Sequence, residues 1–240
     1  MKDADAPVLK VEGLSAGYGG LPVLHDISLE IRRAELVALV GSNGAGKTTL
    51  LRALSRVLPS TGSIVMDGRP LSRPTPDEAF ARGMVQVPEG RQLFDRMTVQ
   101  DNLLMGAYRR ADKAAVARDL DRVYGFFPRL SERRRQLAGS MSGGEQQMCA
   151  MARALMAAPT LMMIDEMSLG LAPVVVEQLM GVLADILREG VTVLLVEQDI
   201  HLALSAADRG YVMETGHIVH SGPARALLDD PRVRQAYLGI

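Results

Sequence analysis

The run ELVALVGSNGAGKTTLLRALS, residues 35–55, constrains the chain more than any other feature. Leu36–Val40 are apolar without polar alternation, which reads as a strand buried on both faces. Such a strand asks for a parallel sheet with a layer on each side. Directly after it, Gly41–Thr48 matches G-x-x-x-x-G-K-[ST] and opens a helical pattern. Gly41, Gly44 and Gly46, with Ser42, Asn43 and Ala45 between them, let backbone N–H groups converge on phosphate oxygens. The helix N-terminus adds its partial positive charge. Lys47 is placed to reach the β- and γ-phosphates of a nucleotide, and the Thr48 hydroxyl to ligate Mg²⁺. Thr49, next along, is counted with the phosphate-binding residues.

The remaining pattern supports an α/β fold: a mainly parallel sheet core, an antiparallel β layer and a helical subdomain. Short β-rich runs, VLKVEGL and ISLEI, precede the phosphate loop and suggest the antiparallel layer. GSIVMDG reads as a strand with a turn, and MVQVPEG as a strand ending at Pro88. TLMMIDE and VTVLLVEQ read as buried strands, separated by a helix over Pro173–Arg188 with Gly190 as its left-handed cap. Val175, Leu179, Val182 and Ile186 fall at helical spacing and are expected to face the sheet. RGYVMETGHIVHSG reads as a hairpin turning at Thr215–Gly216, followed by a short helical tail. Between Gln92 and Gly139 strand signals are absent. Thr98 with Asp101 caps one helix there, and DKAAVARDLDRVYGFF forms a second, ended by Pro128. The expected organisation is one domain over 1–240, with 1–91 and 150–240 as core and 92–149 as the helical subdomain.

Composition excludes several function classes. With 240 residues, 48% hydrophobic and a net charge of −1, nothing asks for a polyanion, and no nucleic-acid partner is expected. The single cysteine, Cys149, excludes an internal disulfide framework and suits a reducing compartment; it reads as a core residue. The opening MKDADAPVLK is polar and does not read as a secretory signal. The longest apolar stretch, ALMAAPTLMMI, is interrupted by Pro159 and falls short of the ~20 residues a spanning helix needs. The expectation is a soluble chain whose membrane role, if it has one, comes through a partner. SERRRQ, 131–136, reads as a solvated face.

LMMIDE supplies a second half to the phosphate site. Asp165 ends an apolar strand at the sheet edge where α/β folds bind ligands, and is expected to hold Mg²⁺. Glu166 is expected to polarise an attacking water as general base. The methionines before Asp165 read as core filling. SGGEQQ then opens a second glycine-rich helix 23 residues before Asp165. It resembles the signature motif of the ATP-binding cassette (ABC) ATPases.

That resemblance implies a P-loop ABC ATPase fold and a composite site: the signature of one protomer closes over the ATP held by the P-loop of another. Ser142, Gly143, Gly144 and Glu145 would then bind the partner's nucleotide. Tyr18 in AGYGG occupies the place of an aromatic that stacks on adenine, and SLGLAP, 168–173, that of a loop crossing the dimer interface. Glu89 stands where most members have a glutamine; it is counted among the metal-site residues and, with the helical subdomain, is expected to form the groove that receives a permease helix. Gln198 stands where most have a histidine contacting the γ-phosphate; it can donate a hydrogen bond but cannot take a proton near neutral pH. His201 reads as a helix-surface residue, so the base role falls on Glu166.

VPEGRQLFDRMTVQDNL, SGGEQQM, SLGLAP, VLLVEQD, ADRGYVMETG and the closing DPRVRQAYLG together resemble the ATP-binding subunits of branched-chain amino acid importers. Met167 departs from that pattern in place of a proline, as do Met141 and Ser42 in place of a leucine and a proline. The resemblance implies ATP and Mg²⁺ as cofactors and a dimer with itself or with a sister ATPase. It also implies two transmembrane permease subunits and, indirectly, a periplasmic or extracellular solute-binding protein. The chain would lie at the cytoplasmic face of the inner membrane. The alternatives are an importer of another small solute such as urea or an amide, a non-hydrolysing cassette, and a soluble non-transport ABC protein.

Overall fold

A computed structural model describes residues 6–234. Residues 1–5 of the polar opening and the end of the DPRVRQAYLG run lie outside the described residues.

Leu9–Tyr18 (β1) and Leu21–Ile31 (β2) form an antiparallel pair, both longer than the apolar runs that signalled them. Leu36–Val40 (β3) is buried at all five positions, and its chain turns through the glycine-rich loop into Lys47–Leu54 (α1). Ser60–Met66 (β4) comes back antiparallel to β1, and Arg69–Pro70 (β5) adds a short edge. Pro76–Ala81 (α2) leads to Met84–Val87 (β6).

The block after β6 is helical, as its sequence predicts. Thr98 caps Val99–Gly106 (α3) by accepting from the Asp101 N–H. Lys113–Phe126 (α4) ends just before Pro128, but Pro128 also opens Pro128–Glu132 (α5), a short helix the sequence reading missed. Proline is compatible with the first helical position because that N–H has no intrahelical partner anyway. Gly143–Leu155 (α6) leaves this block and packs against both α3 and β6.

Leu161–Asp165 (β7), Pro173–Arg188 (α7), Thr192–Glu197 (β8), Ile200–Ala206 (α8) and Arg209–Glu214 (β9) complete the alternation. β9 turns at Thr215–Gly216, both at positive φ, into His217–Pro223 (β10). Ala224–Asp229 (α9) and Pro231–Val233 (α10) form the helical tail.

Two sheets result. One has the order β2-β1-β4-β5 and is antiparallel; the other has the order β10-β9-β3-β8-β7-β6 and is parallel except at the β10 edge. The parallel strands lack polar alternation because each feeds two cores. In β3, Leu36, Ala38 and Val40 join a core shared with the helical block, while Val37 and Leu39 join one shared with α1 and the antiparallel sheet. Met162 and Met163 divide the same way, so both are core filling.

One expected helix face is corrected. The buried stripe of α7 is Val176, Leu179, Leu183 and Ile186, whereas Val175 and Val182 are half-buried. Val175 and Val182 still pack, partly buried, against the same core, and Val175 also meets the opening of α6, where a Cβ added to Gly144 would meet Val175 Cγ1 at 2.7 Å.

Candidate functional site

The phosphate loop sits where a C-terminal strand end meets a helix start. Gly46 adopts φ 106° and faces Leu24 and Met213, so a side chain there would be both strained and crowded. The loop is held from behind: the Gly216 N–H donates to Ala45 O at 2.9 Å, and the His25 N–H donates to Gly216 O at 2.9 Å. Lys47 is only 4% exposed, and its ammonium donates to Gly41 O at 2.8 Å and Ser42 O at 3.2 Å. The same Nζ lies 3.6 Å from Glu166 Oε1. The lysine is therefore curled over the loop that carries the N–H groups, held by neutral carbonyls that a charged phosphate can replace.

A cavity of about 410 Å³ opens there. Asn43, Gly44, Gly46, Lys47, Thr48 and Thr49 line it together with Glu89, Glu166 and Gln198. Leu169, from the 168–173 segment, also lines it, as does Val23, which sequence reasoning had not marked. Gly41, Ser42 and Ala45 shape the loop without lining the cavity.

Asp165 ends β7 and is 1% exposed. Burial, and then the neighbouring Glu166 and Glu89 carboxylates, push its pKa up to about 6 against the Thr48 hydroxyl and Lys47. Thr48 Oγ1 stands 3.5 Å from Asp165 Oδ1, at the outer limit of a hydrogen bond, and Asp165 Oδ2 is buried with no partner among the described residues. An orphaned buried carboxylate oxygen beside a hydroxyl is a donor set suited to a hard cation. No group of three or more His, Cys, Asp or Glu able to hold a metal occurs among the described residues. A carboxylate and a hydroxyl suffice for magnesium, which uses few protein ligands and takes the rest from phosphates and water.

Glu166 has a left-handed backbone, φ 46°, and its N–H donates to Val196 O at 2.9 Å. Next to Gln198, Glu197 is 1% exposed; it accepts from the Ser168 N–H and hydroxyl, each at 2.9 Å. Burial raises its pKa, and the Ser168 N–H opposes the shift. The strand-end pattern concealed Glu197, because an acidic residue after VLLV reads as solvated. His201 is exposed on α8, as expected.

Asp165 lines only the adjoining depression, with Thr48 and Glu89, and three further expected groups stand apart from the cavity. Tyr18 does not line it; the side chain is 41% exposed, with its hydroxyl accepting from Arg52 at 3.3 Å over α1. The segment Ser142–Glu145 does not line it either. Ser142 is exposed and caps α6 in a reciprocal box: the Glu145 N–H donates to Ser142 Oγ, and the Ser142 N–H donates to Glu145 Oε2 at 3.0 Å. Glu145 also faces Arg133 at 3.1 Å and Arg129 at 3.4 Å. Burial works against ionisation, but these donors and cations hold the Glu145 carboxyl below its usual range. The third group, Gly41, Ser42 and Ala45, acts through the backbone of the loop.

A second, more apolar cavity of about 270 Å³ lies between β6, α3 and α6, with Phe80, Phe94, Met105 and Tyr108 at its walls. Tyr108 is 65% exposed. Glu89 reaches the adjoining depression beside Asp165. The loop between runs through three consecutive left-handed residues, Gly90, Arg91 and Gln92, and Arg153 of α6 donates to the Gln92 and Arg91 carbonyls at 2.8 and 3.1 Å. No helix among the described residues is long and apolar enough to cross a membrane.

Comparison with known proteins places this geometry. The family described as ABC transporter matches residues 24–168. Over 233 residues the chain is 46% identical to the high-affinity branched-chain amino acid transport ATP-binding protein BraG of Pseudomonas aeruginosa, spanning 97% of this chain and 100% of that one. It is 31% identical over 255 residues to BraF, also described as a high-affinity branched-chain amino acid transport ATP-binding protein, of the same organism, spanning 97% and 98%. A crystal structure of a nucleotide-free ATP-binding cassette from an ABC transporter superposes with a TM-score of 0.86 at 24% identity, over 98% of this chain and 100% of that chain.

Proposed function

This chain belongs to the ABC transporter family, and we propose that it is the ATP-hydrolysing subunit of an importer for branched-chain amino acids. The reading rests on the convergence of Lys47, Thr48, Asp165 and Glu166 on one site, together with the 46% identity to BraG across both chains.

In that reading the Gly41–Thr48 backbone cradles the phosphates of ATP, and Lys47 turns from the Gly41 and Ser42 carbonyls to the β- and γ-phosphates. Thr48 and Asp165, with Glu89 nearby, would hold magnesium, which neutralises charge on the phosphates when bound. Glu166 orients a water and takes its proton as the water oxygen attacks the γ-phosphorus in line; the bond to the β–γ bridging oxygen breaks, leaving ADP and phosphate. Gln198 donates its amide to the γ-phosphoryl oxygens. Tyr18 stacks on adenine. A second copy, or a sister ATPase, supplies Ser142, Gly143, Gly144 and Glu145, because these residues lie outside the cavity of their own chain.

The core 1–91 and 150–240 carries the P-loop and both carboxylates, and the helical subdomain 92–149 carries the signature. Each of the two permease subunits docks at the Phe80–Phe94–Tyr108 groove of one ATPase, holding the chain at the cytoplasmic face of the membrane. A solute-binding protein acts on the permeases, not on this chain. Deleting the gene in its host and measuring uptake of labelled leucine, isoleucine and valine tests the cargo. Loss of uptake, restored by the wild-type chain and not by Lys47→Ala, is expected. Undiminished uptake of all three would overturn the substrate assignment.

A further inference from the structure

Glu166 keeps its carboxylate in the cavity from a left-handed backbone, φ 46°. A non-glycine residue in that region is strained and persists only where its surroundings over-determine it. The following residue, Met167, has no ring to fix its φ. Three contacts do the holding. The Glu166 N–H bonds Val196 O, Met167 is 1% exposed within the main core, and Ser168 is gripped twice by Glu197.

Of these three, the Glu197 contact is the unusual one. A buried carboxylate is costly, and none of the ion pairs among the described residues includes Glu197. Both of its carboxylate oxygens instead accept from Ser168, the first residue after the Glu166–Met167 pair. Its chain neighbour Gln198 lines the same cavity as Glu166 and Leu169. One carboxylate thus ties the end of β8 to the segment that starts at the general base and continues into 168–173.

We propose that Glu197 is a positioning residue for hydrolysis, anchoring Ser168 so that Glu166 and Gln198 are held at one fixed separation where both line the cavity. The inference rests on the ATPase reading above and adds a residue to it. Glu197 does not touch nucleotide itself.

The test is ATP turnover and nucleotide binding by the full chain with magnesium, for wild type, Glu166→Gln, Glu197→Ala, Glu197→Gln, Ser168→Ala and the Glu166→Gln/Glu197→Ala pair. Glu197→Ala is expected to lower kcat about tenfold to hundredfold, the cost of a small misplacement of a catalytic group. Its KM and its affinity for a non-hydrolysable ATP analogue are expected to stay within about twofold. Glu197→Gln restores part of the rate because its carbonyl oxygen still accepts from the Ser168 N–H. Ser168→Ala loses less than Glu197→Ala because it removes only the hydroxyl and leaves the backbone N–H as a donor. In the Glu166→Gln background, Glu197→Ala adds nothing further, which a purely structural role would not produce. Unchanged kcat in Glu197→Ala, or losses in binding as large as those in kcat, would overturn the proposal while leaving the ATPase reading intact. If Glu197→Ala does not fold, Glu197→Gln and Ser168→Ala decide by the same split. No turnover by wild type, or no effect of Glu166→Gln, would overturn the ATPase reading and this proposal with it.

Discussion

Lys47 and Asp165 show how far chemistry at single residues can be read from a sequence. The motif named Lys47 as a phosphate ligand, and the side chain is curled against two carbonyls within reach of that cradle. Asp165 carries the clearest electrostatic signature, a carboxyl pushed by burial from 3.8 to about 6. Between those values the folded chain holds more protons than the unfolded one, so this group makes stability fall as pH rises from 3.8 to about 6 and keeps it low above that window. In nucleotide-free protein at pH 8, Asp165→Asn is therefore expected to raise the melting temperature, by on the order of 5 °C. Differential scanning fluorimetry at pH 8 and pH 4 checks this: the gain should shrink at the lower pH, and a drop in melting temperature at pH 8 would contradict it. Cys149 makes the opposite kind of case. Burial pushes its thiol up to about 12, so a thiol reagent at pH 7.5 should label it only as fast as the chain unfolds. Prompt labelling of the native chain would show that Cys149 is not buried.

At the scale of elements, the strands were legible because their apolar runs are continuous, and they are continuous because each strand feeds two cores. The Thr98 cap, the Thr215–Gly216 turn and the Pro173 start were legible because local chemistry fixes them. What escaped was decided by neighbours distant in sequence. Helical spacing alone could not tell half-buried Val175 from buried Val176, nor that Val175 meets the α6 opening at Gly144. Glu197 escaped for the same reason: only the fold brings Ser168 to it. The α6–α7 contact gives a prediction of its own. Gly144→Ala drives a methyl into Val175 Cγ1 at 2.7 Å and is expected to destabilise by about 1–3 kcal/mol. Adding Val175→Ala should return most of that loss in a chemical-denaturation series, whereas strictly additive losses would show that the contact is not the cause. Ser142→Ala, which removes the cap hydroxyl, should cost about 1 kcal/mol in the same series.

For the whole molecule, two glycine-rich helix openings end in different places. The one at Lys47 faces a cavity beside both carboxylates; the one at Ser142 is exposed and lies outside that cavity. A nucleotide held by both needs two chains related by a two-fold axis, each giving its own half to the other's site. Mixing inactive chains isolates that arrangement. Lys47→Ala lacks the phosphate lysine, and Ser142→Glu puts a carboxylate where the γ-phosphate would rest. In a mixed dimer, the P-loop of the Ser142→Glu chain meets the intact signature of the Lys47→Ala chain, giving one complete site. Equal mixtures of the two inactive variants should therefore recover ATP turnover of about one quarter of wild type, since half the dimers are mixed and each holds one working site. Turnover no higher than that of either variant alone would contradict the shared site.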